Sequence, residues 1–117
     1  MLLYVVILFP AIYILAAIAS ALYFNPRPFV EDGFIPLLPH APDNGFPSNH
    51  ALFAAALVAF VFPYQKWIGG ALAVLAVLVG FSRVYAGIHH PLDILTSFFI
   101  VAVAALAVTI FLKFKKN

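Results

Sequence analysis

Twelve consecutive positions, Ser82-Arg83-Val84-Tyr85-Ala86-Gly87-Ile88-His89-His90-Pro91-Leu92-Asp93, hold two of four histidines, one of two arginines and one of four acidic residues. The whole chain is only 9% charged. Two smaller polar islands precede this one, Asn25-Pro26-Arg27-Pro28 and Pro47-Ser48-Asn49-His50. Ionisable groups at the edge of apolar membrane segments are expensive to desolvate, so by default they mark a functional site. Arginine is a planar fork of donors that matches phosphate oxygens bidentately. Arg27 and Arg83, arriving from different loops, make a tetrahedral anion the natural ligand. Ser48 and Asn49 stand just before an apolar run, where helix N-caps belong. Free N–H groups there, with the helix dipole, add to an anion site. A simple cap is the alternative role for Ser48 or Asn49, but His50 and Arg27 make a lone cap the less economical explanation.

Phosphoryl transfer without a metal needs a nucleophile, an acid for the leaving oxygen and positive charge around the equatorial oxygens. His89 and Asp93 are four apart, and Pro91 at a first helical position puts them on the same side of the starting turn. A carboxylate bonded to one imidazole nitrogen fixes the tautomer and frees the other nitrogen to attack. His50, from another helix end, can then protonate the leaving group. His90 is left without a chemical role. Taken singly, His50 and His89 also read as interfacial histidines packed beside headgroups. Their occurrence beside two arginines on one face argues for chemistry instead. A zinc site built from His50, His89, His90 and Asp93 has suitable ligand types, but the arginines would repel a cation. Neither a metal nor a cofactor is expected.

The elements that bring these islands together must be membrane helices. The chain is 66% hydrophobic, with a mean hydropathy of +1.12, far above the globular norm of about half apolar. Its 117 residues make a single domain over 1–117. Without cysteine there is neither a disulfide nor a thiolate metal site. A net charge of +2, scattered along the chain, gives no footprint for nucleic acid. Leu2 to Phe24 and Ile94 to Phe114 each meet the roughly 20 apolar residues that a span needs. Leu2 to Phe24 reads as a retained span, since no basic region or small-residue cleavage site accompanies it. Between the two lie shorter apolar runs, Ala51 to Phe62 and Trp67 to Phe81, parted by Pro63-Tyr64-Gln65-Lys66. They predict two short helices that cross only part of the bilayer. The fold class is therefore all-α, a polytopic membrane bundle of about four transmembrane helices.

Alternating four spans places Asn25–His50 and Ser82–Asp93 on one face, and Lys66, Lys113, Lys115, Lys116 and the N-terminus on the other. The positive-inside rule puts the lysines in the cytoplasm. The polar islands then lie on the outer side, in a bacterium most simply at the extracytoplasmic face of the inner membrane. The Asn25–Asn49 connection has six prolines with Gly33 and Gly45, so no long regular element is expected. Its position over the islands suits a gate, as long loops in compact domains are often functional.

The three islands resemble the motifs of the type 2 phosphatidic acid phosphatase (PAP2) superfamily of membrane lipid phosphatases. The third motif, Ser-Arg, five residues, His, three residues, Asp, is matched by Ser82, Arg83, His89 and Asp93. The second, Pro-Ser-Gly-His, stands here as Pro47-Ser48-Asn49-His50, and of the first, Lys, six residues, Arg-Pro, Arg27-Pro28 remain with Ser20 at the lysine position. The resemblance covers roughly residues 20 to 93. It implies a metal-independent reaction through a phosphohistidine on His89, oriented by Asp93, with His50 as general acid. Arg27, Arg83 and Ser48 become the phosphate ligands, with Asn49 and Ser82 grouped beside them. Related bacterial polyprenyl-diphosphate phosphatases also carry a polar residue at the Asn49 position, which favours undecaprenyl diphosphate as substrate. Phosphatidic acid and phosphatidylglycerol phosphate come next. A lipid phosphotransferase on the same site, or a catalytically degenerate lipid-binding scaffold, is the alternative. Membrane members usually have six spans, so the missing two would precede Met1. A chain this short would need a homodimer to enclose a lipid tail among the membrane lipids.

Overall fold

The computed structural model describes residues 1–117 as five helices and no strand: α1 Leu2–Leu22, α2 Pro28–Asp32, α3 Asn49–Val61, α4 Lys66–Tyr85 and α5 Pro91–Lys116. Helices α1, α4 and α5 are long and apolar enough to cross a membrane, and α3 is apolar but only 13 residues long. The architecture is a membrane helical bundle and the chain an integral membrane protein, as the composition requires.

One element differs from expectation. The second of the two short central helices is in fact 20 residues long, about 30 Å at 1.5 Å per residue. It carries Ser82 and Arg83 inside its last turn. Polar side chains do not end a helix; the end comes where Gly87 adopts a φ of 82°, a left-handed conformation available to glycine at little cost. A side chain at Gly87 would also strike the Phe34 ring at 2.5 Å.

The other boundaries follow local chemistry. Pro28 and Pro91 open α2 and α5, where a missing N–H costs nothing. Ser48 caps α3, its Oγ accepting from Ala51 N at 3.3 Å. At the opposite end, Pro63 and the residues around it turn α3 into α4. Gly69 permits this tight return, because a Cβ there would lie 2.5 Å from Phe62 Cα.

The core sits between α1, α3 and α5: Tyr4, Leu8 and Ile12 meet Leu52 and Ala56, and Ile100, Val101, Ala104 and Val108. Small residues such as Ala56 and Ala104 let the backbones approach closely. Helix α3 lies between α4 and α5 and packs on both, while α1 packs mainly on α5. Large apolar side chains such as Tyr13, Phe81 and Phe99 remain exposed on the outside, as lipid-facing surface should be. This up-and-down order gathers the C-terminal ends of α1 and α4 and the N-terminal ends of α3 and α5 at one end of the bundle. Met1, Tyr64, Lys113, Lys115 and Lys116 line a common hollow at the other.

Candidate active site

His89 occupies the centre of the polar end and is 3% exposed. It precedes α5 in an extended connection held from above by the loop, through Phe29 N to Gly87 O at 3.1 Å and Leu37 N to Ala86 O at 3.0 Å. Its Nε2 lies 3.2 Å from Arg27 Nη1. A guanidinium can only donate, so Nε2 is the acceptor and the proton sits on Nδ1. That Nδ1–H is shared between Gly45 O at 2.9 Å and Asp93 Oδ2 at 3.3 Å. The contact expected from the four-residue spacing is present, but a loop carbonyl is nearer.

Asp93 is fully buried, and a buried carboxylate is tolerable only when its oxygens are hydrogen-bonded. Oδ1 accepts from Asn25 Nδ2 at 2.8 Å, and Oδ2 from the backbone N of His90 at 2.8 Å. Asp93 is thus also the third residue of α5 closing its first turn, where a negative charge suits the helix dipole.

Arg27, 5% exposed, spends Nη1 on Ile88 O at 3.1 Å as well as on His89. Nε and Nη2 both reach Asp43 Oδ1 at 2.9 Å, and Nη2 reaches Asn44 O at 3.2 Å. Asp43 faces solvent. Desolvation works to raise its carboxyl, and the Arg27 hydrogen bond and charge outweigh that, holding the group below the usual carboxylate range.

Ser48 is buried, and its backbone N donates to Asp93 O at 3.3 Å. Ser97 Oγ, one turn into α5, reaches both Ser48 O at 2.8 Å and Asp93 O at 2.9 Å. The starts of α3 and α5 are fastened together there. His50 is exposed on the first turn of α3, outside the three spanning helices. Partial burial first, then the positive charge of Arg83 and the neighbouring His89 and His40, push its imidazole below the ordinary range. Arg83 Nε is buried and donates to no group of the chain.

Two of the expected site residues are placed differently. Ser82 is exposed and its hydroxyl donates to Val79 O at 2.7 Å, inside α4. Asn49 is exposed and, with Ser20 and Asn44, lines a hollow between α1 and α3. His90, left without chemistry by the sequence, is a brace: its Nε2 lies 3.0 Å from Pro26 O and 3.3 Å from Glu31 Oε2. No three His, Asp or Glu side chains converge as metal ligands would.

Sequence reasoning missed Asn25, Asn44, Gly45 and Ser97. Asn25 sat in an island already singled out. Ser97 was legible as a hydroxyl four residues after Asp93 in an apolar helix. Gly45 was noted only as a loop glycine, and the one signal Asn44 offers is the generic turn tendency of an Asn-Gly pair.

The family described as the PAP2 superfamily matches residues 1–117. Undecaprenyl-diphosphatase BcrC of Bacillus subtilis is 44% identical over 79 residues, 67% of this chain and 40% of that protein. Putative undecaprenyl-diphosphatase YbjG of Escherichia coli is 47% identical over 76 residues, 63% of this chain and 38% of its own length. Phosphatidylglycerophosphatase B of Bacillus subtilis is 35% identical over 80 residues, 59% of this chain and 39% of its own. The chain thus spans less than half the length of each of these relatives. No solved structure matches.

Proposed function

The chain belongs to the PAP2 superfamily, and from that premise we propose that it hydrolyses a lipid phosphate or diphosphate, with undecaprenyl diphosphate the favoured substrate. The observation that carries this reading is His89 itself, buried, protonated on Nδ1 and presenting the Nε2 lone pair 3.2 Å from an arginine. Two of the similar proteins bear the name undecaprenyl-diphosphatase, the second as putative. An apolar groove of about 300 Å³ between α3, α4 and α5, lined by residues such as Ala55, Val58, Ala76, Val77, Phe98 and Val101, lies deeper in the bundle and suits a hydrocarbon tail.

In the proposed reaction, incoming phosphate oxygens take over the donors of Arg27 and the free Nε–H of Arg83. That releases the Nε2 lone pair for in-line attack on phosphorus. An Nε2–P bond forms, and the P–O bond to the lipid breaks with its electron pair on oxygen. His50 delivers a proton to that oxygen; for a diphosphate the leaving group is the lipid monophosphate. The ring keeps its Nδ1–H, and the imidazolium of the phosphohistidine is balanced by Asp93. Water then attacks phosphorus, His50 takes its proton, and inorganic phosphate leaves with His89 restored. Ser48 caps α3 with its own N–H held by Asp93 O, and Asn49 contributes a free N–H at the start of the helix. No step in this scheme requires a metal.

The end carrying four lysines and no acidic side chain is proposed to be cytoplasmic, which puts the site on the extracytoplasmic face of a bacterial inner membrane. The test is phosphate release from undecaprenyl diphosphate in detergent with EDTA present. Release by the wild type and none by His89→Ala is expected. Release by both would remove His89 from the reaction. Loss of wild-type activity in EDTA, restored by zinc, would overturn the metal-free scheme.

A further inference from the structure

The Asn44 side chain makes more hydrogen bonds than any other side chain at the polar end, yet it touches none of the groups assigned to the reaction. Its Nδ2 donates to Ser20 O and Ser20 Oγ at 3.2 Å and to Tyr23 O at 3.0 Å. These are acceptors at the C-terminal end of α1, where backbone carbonyls have no helical partner and where this helix has neither a basic residue in its last turn nor a glycine cap. Its Oδ1 accepts from Asn25 N and Phe46 N, both at 3.0 Å. The loop is thereby clasped to the end of α1 at one point.

What that point fixes is the next peptide. Gly45 N donates to Asn25 O at 3.1 Å, and Gly45 O accepts the Nδ1–H of His89 at 2.9 Å. The carbonyl of Asn44 itself holds Arg27 Nη2 at 3.2 Å. Space at this junction is tight. A Cβ on Gly45 would stand 3.2 Å from both Arg27 Cγ and Asn25 O, and 3.3 Å from Asp93 Oδ2. Asn25 closes the circuit through its bond to Asp93 Oδ1. Small movements of the clasp therefore reach the nucleophile, its carboxylate and the arginine together.

We propose that Asn44 is a positioning residue for His89: by fastening the loop to the end of α1 it sets the Gly45 carbonyl that fixes the imidazole tautomer. Asp93, at 3.3 Å and already engaged by Asn25 and His90, shares that task rather than performing it alone. Outer-shell hydrogen bonds commonly fix the tautomer and orientation of a functional histidine. The kinetic part of this inference rests on the proposed phosphatase reaction; the structural part does not.

The experiment is nitrogen and carbon solid-state NMR of the full chain in lipid, paired with kinetics, for wild type, Asn44→Ala and Asn44→Asp. Asn44→Asp keeps the acceptor for Asn25 and Phe46 and replaces the donors to α1 with a charged carboxylate oxygen that the α1 oxygens repel. In wild type, His89 should be protonated on Nδ1, with a measurable through-space dipolar coupling between that nitrogen and the Gly45 carbonyl carbon. Both variants should weaken the coupling and mix the tautomers. On undecaprenyl diphosphate they should lower kcat by about tenfold or more, since misplacement of about 1 Å can cost 10²-fold, with KM changed far less. A wild-type His89 protonated on Nε2, or lacking the Gly45 coupling, overturns the proposal however the variants fold. So do folded variants whose tautomer and kcat match wild type. Lower thermal stability with an unmoved tautomer would mean that Asn44 only caps α1, which also overturns it. If no lipid phosphate is hydrolysed by any form, yet the tautomer responds as described, the phosphatase reading fails and the positioning inference stands.

Discussion

At the scale of single residues, the proposed reaction asks two histidines for opposite protonation states. His89 must be neutral to attack and His50 protonated to donate, so kcat/KM should rise and then fall with pH. The His50 imidazole is pushed below the ordinary range by partial burial and by Arg83. A lowered value means that its proton is present only on the acid side, so the alkaline limb should begin below the pH of an ordinary histidine. Arg83→Ala removes one of the two leading causes and should move that limb upward, along with a rise in KM. A flat profile, or a limb that ignores Arg83, contradicts the pairing. His50→Ala itself should cost about 10² to 10⁴ in kcat, the usual range for a general acid, as read by steady-state phosphate release. Asp43 contributes differently. Its carboxyl is held low by Arg27, so the pair is intact above the carboxylate range and is lost only as pH falls through that lowered value. Because Asp43 is exposed, Asp43→Ala should change stability by no more than about 1 kcal/mol.

At the scale of elements, the site is an assembly of helix ends. Ser97 joins two of them, and its hydroxyl is fully buried between the Ser48 and Asp93 carbonyls. Ser97→Ala should cost about 1–3 kcal/mol, the usual penalty for leaving buried polar groups unpaired, read as a lower melting temperature in detergent. Much at this scale was legible beforehand. Pro91 announces the start of α5, Ser48 announces the cap of α3, and the spacing from His89 to Asp93 spans one helical turn. The length of α4 was not legible from hydropathy, because its last turn is polar and the stop signal is the backbone of Gly87 rather than a change in composition. The hydrogen bond from His89 to Gly45 was hidden for another reason. It joins positions 44 apart through a backbone carbonyl, and a carbonyl has no signature in sequence. The same holds for Asn44, whose partners on α1 are mostly main-chain atoms.

At the scale of the whole molecule, two arginines and four acidic residues stand at one end of the bundle, and the four lysines at the other. That polarity was readable from alternating spans alone, since each apolar run reverses the chain. A thiol probe that cannot cross membranes should label cysteine introduced at exposed Ile35 or Leu38 in intact cells, and should not label one introduced at Lys115. The reverse pattern would invert the proposed topology.

The central claim is that phosphorus passes through Nε2 of His89. Its most direct test is rapid quench of the full chain with radiolabelled undecaprenyl diphosphate, followed by mapping of the labelled peptide. The expected result is an acid-labile, alkali-stable label on His89, absent from His89→Ala. Phosphate release without label at His89, or with label on His50 or His90, would contradict it.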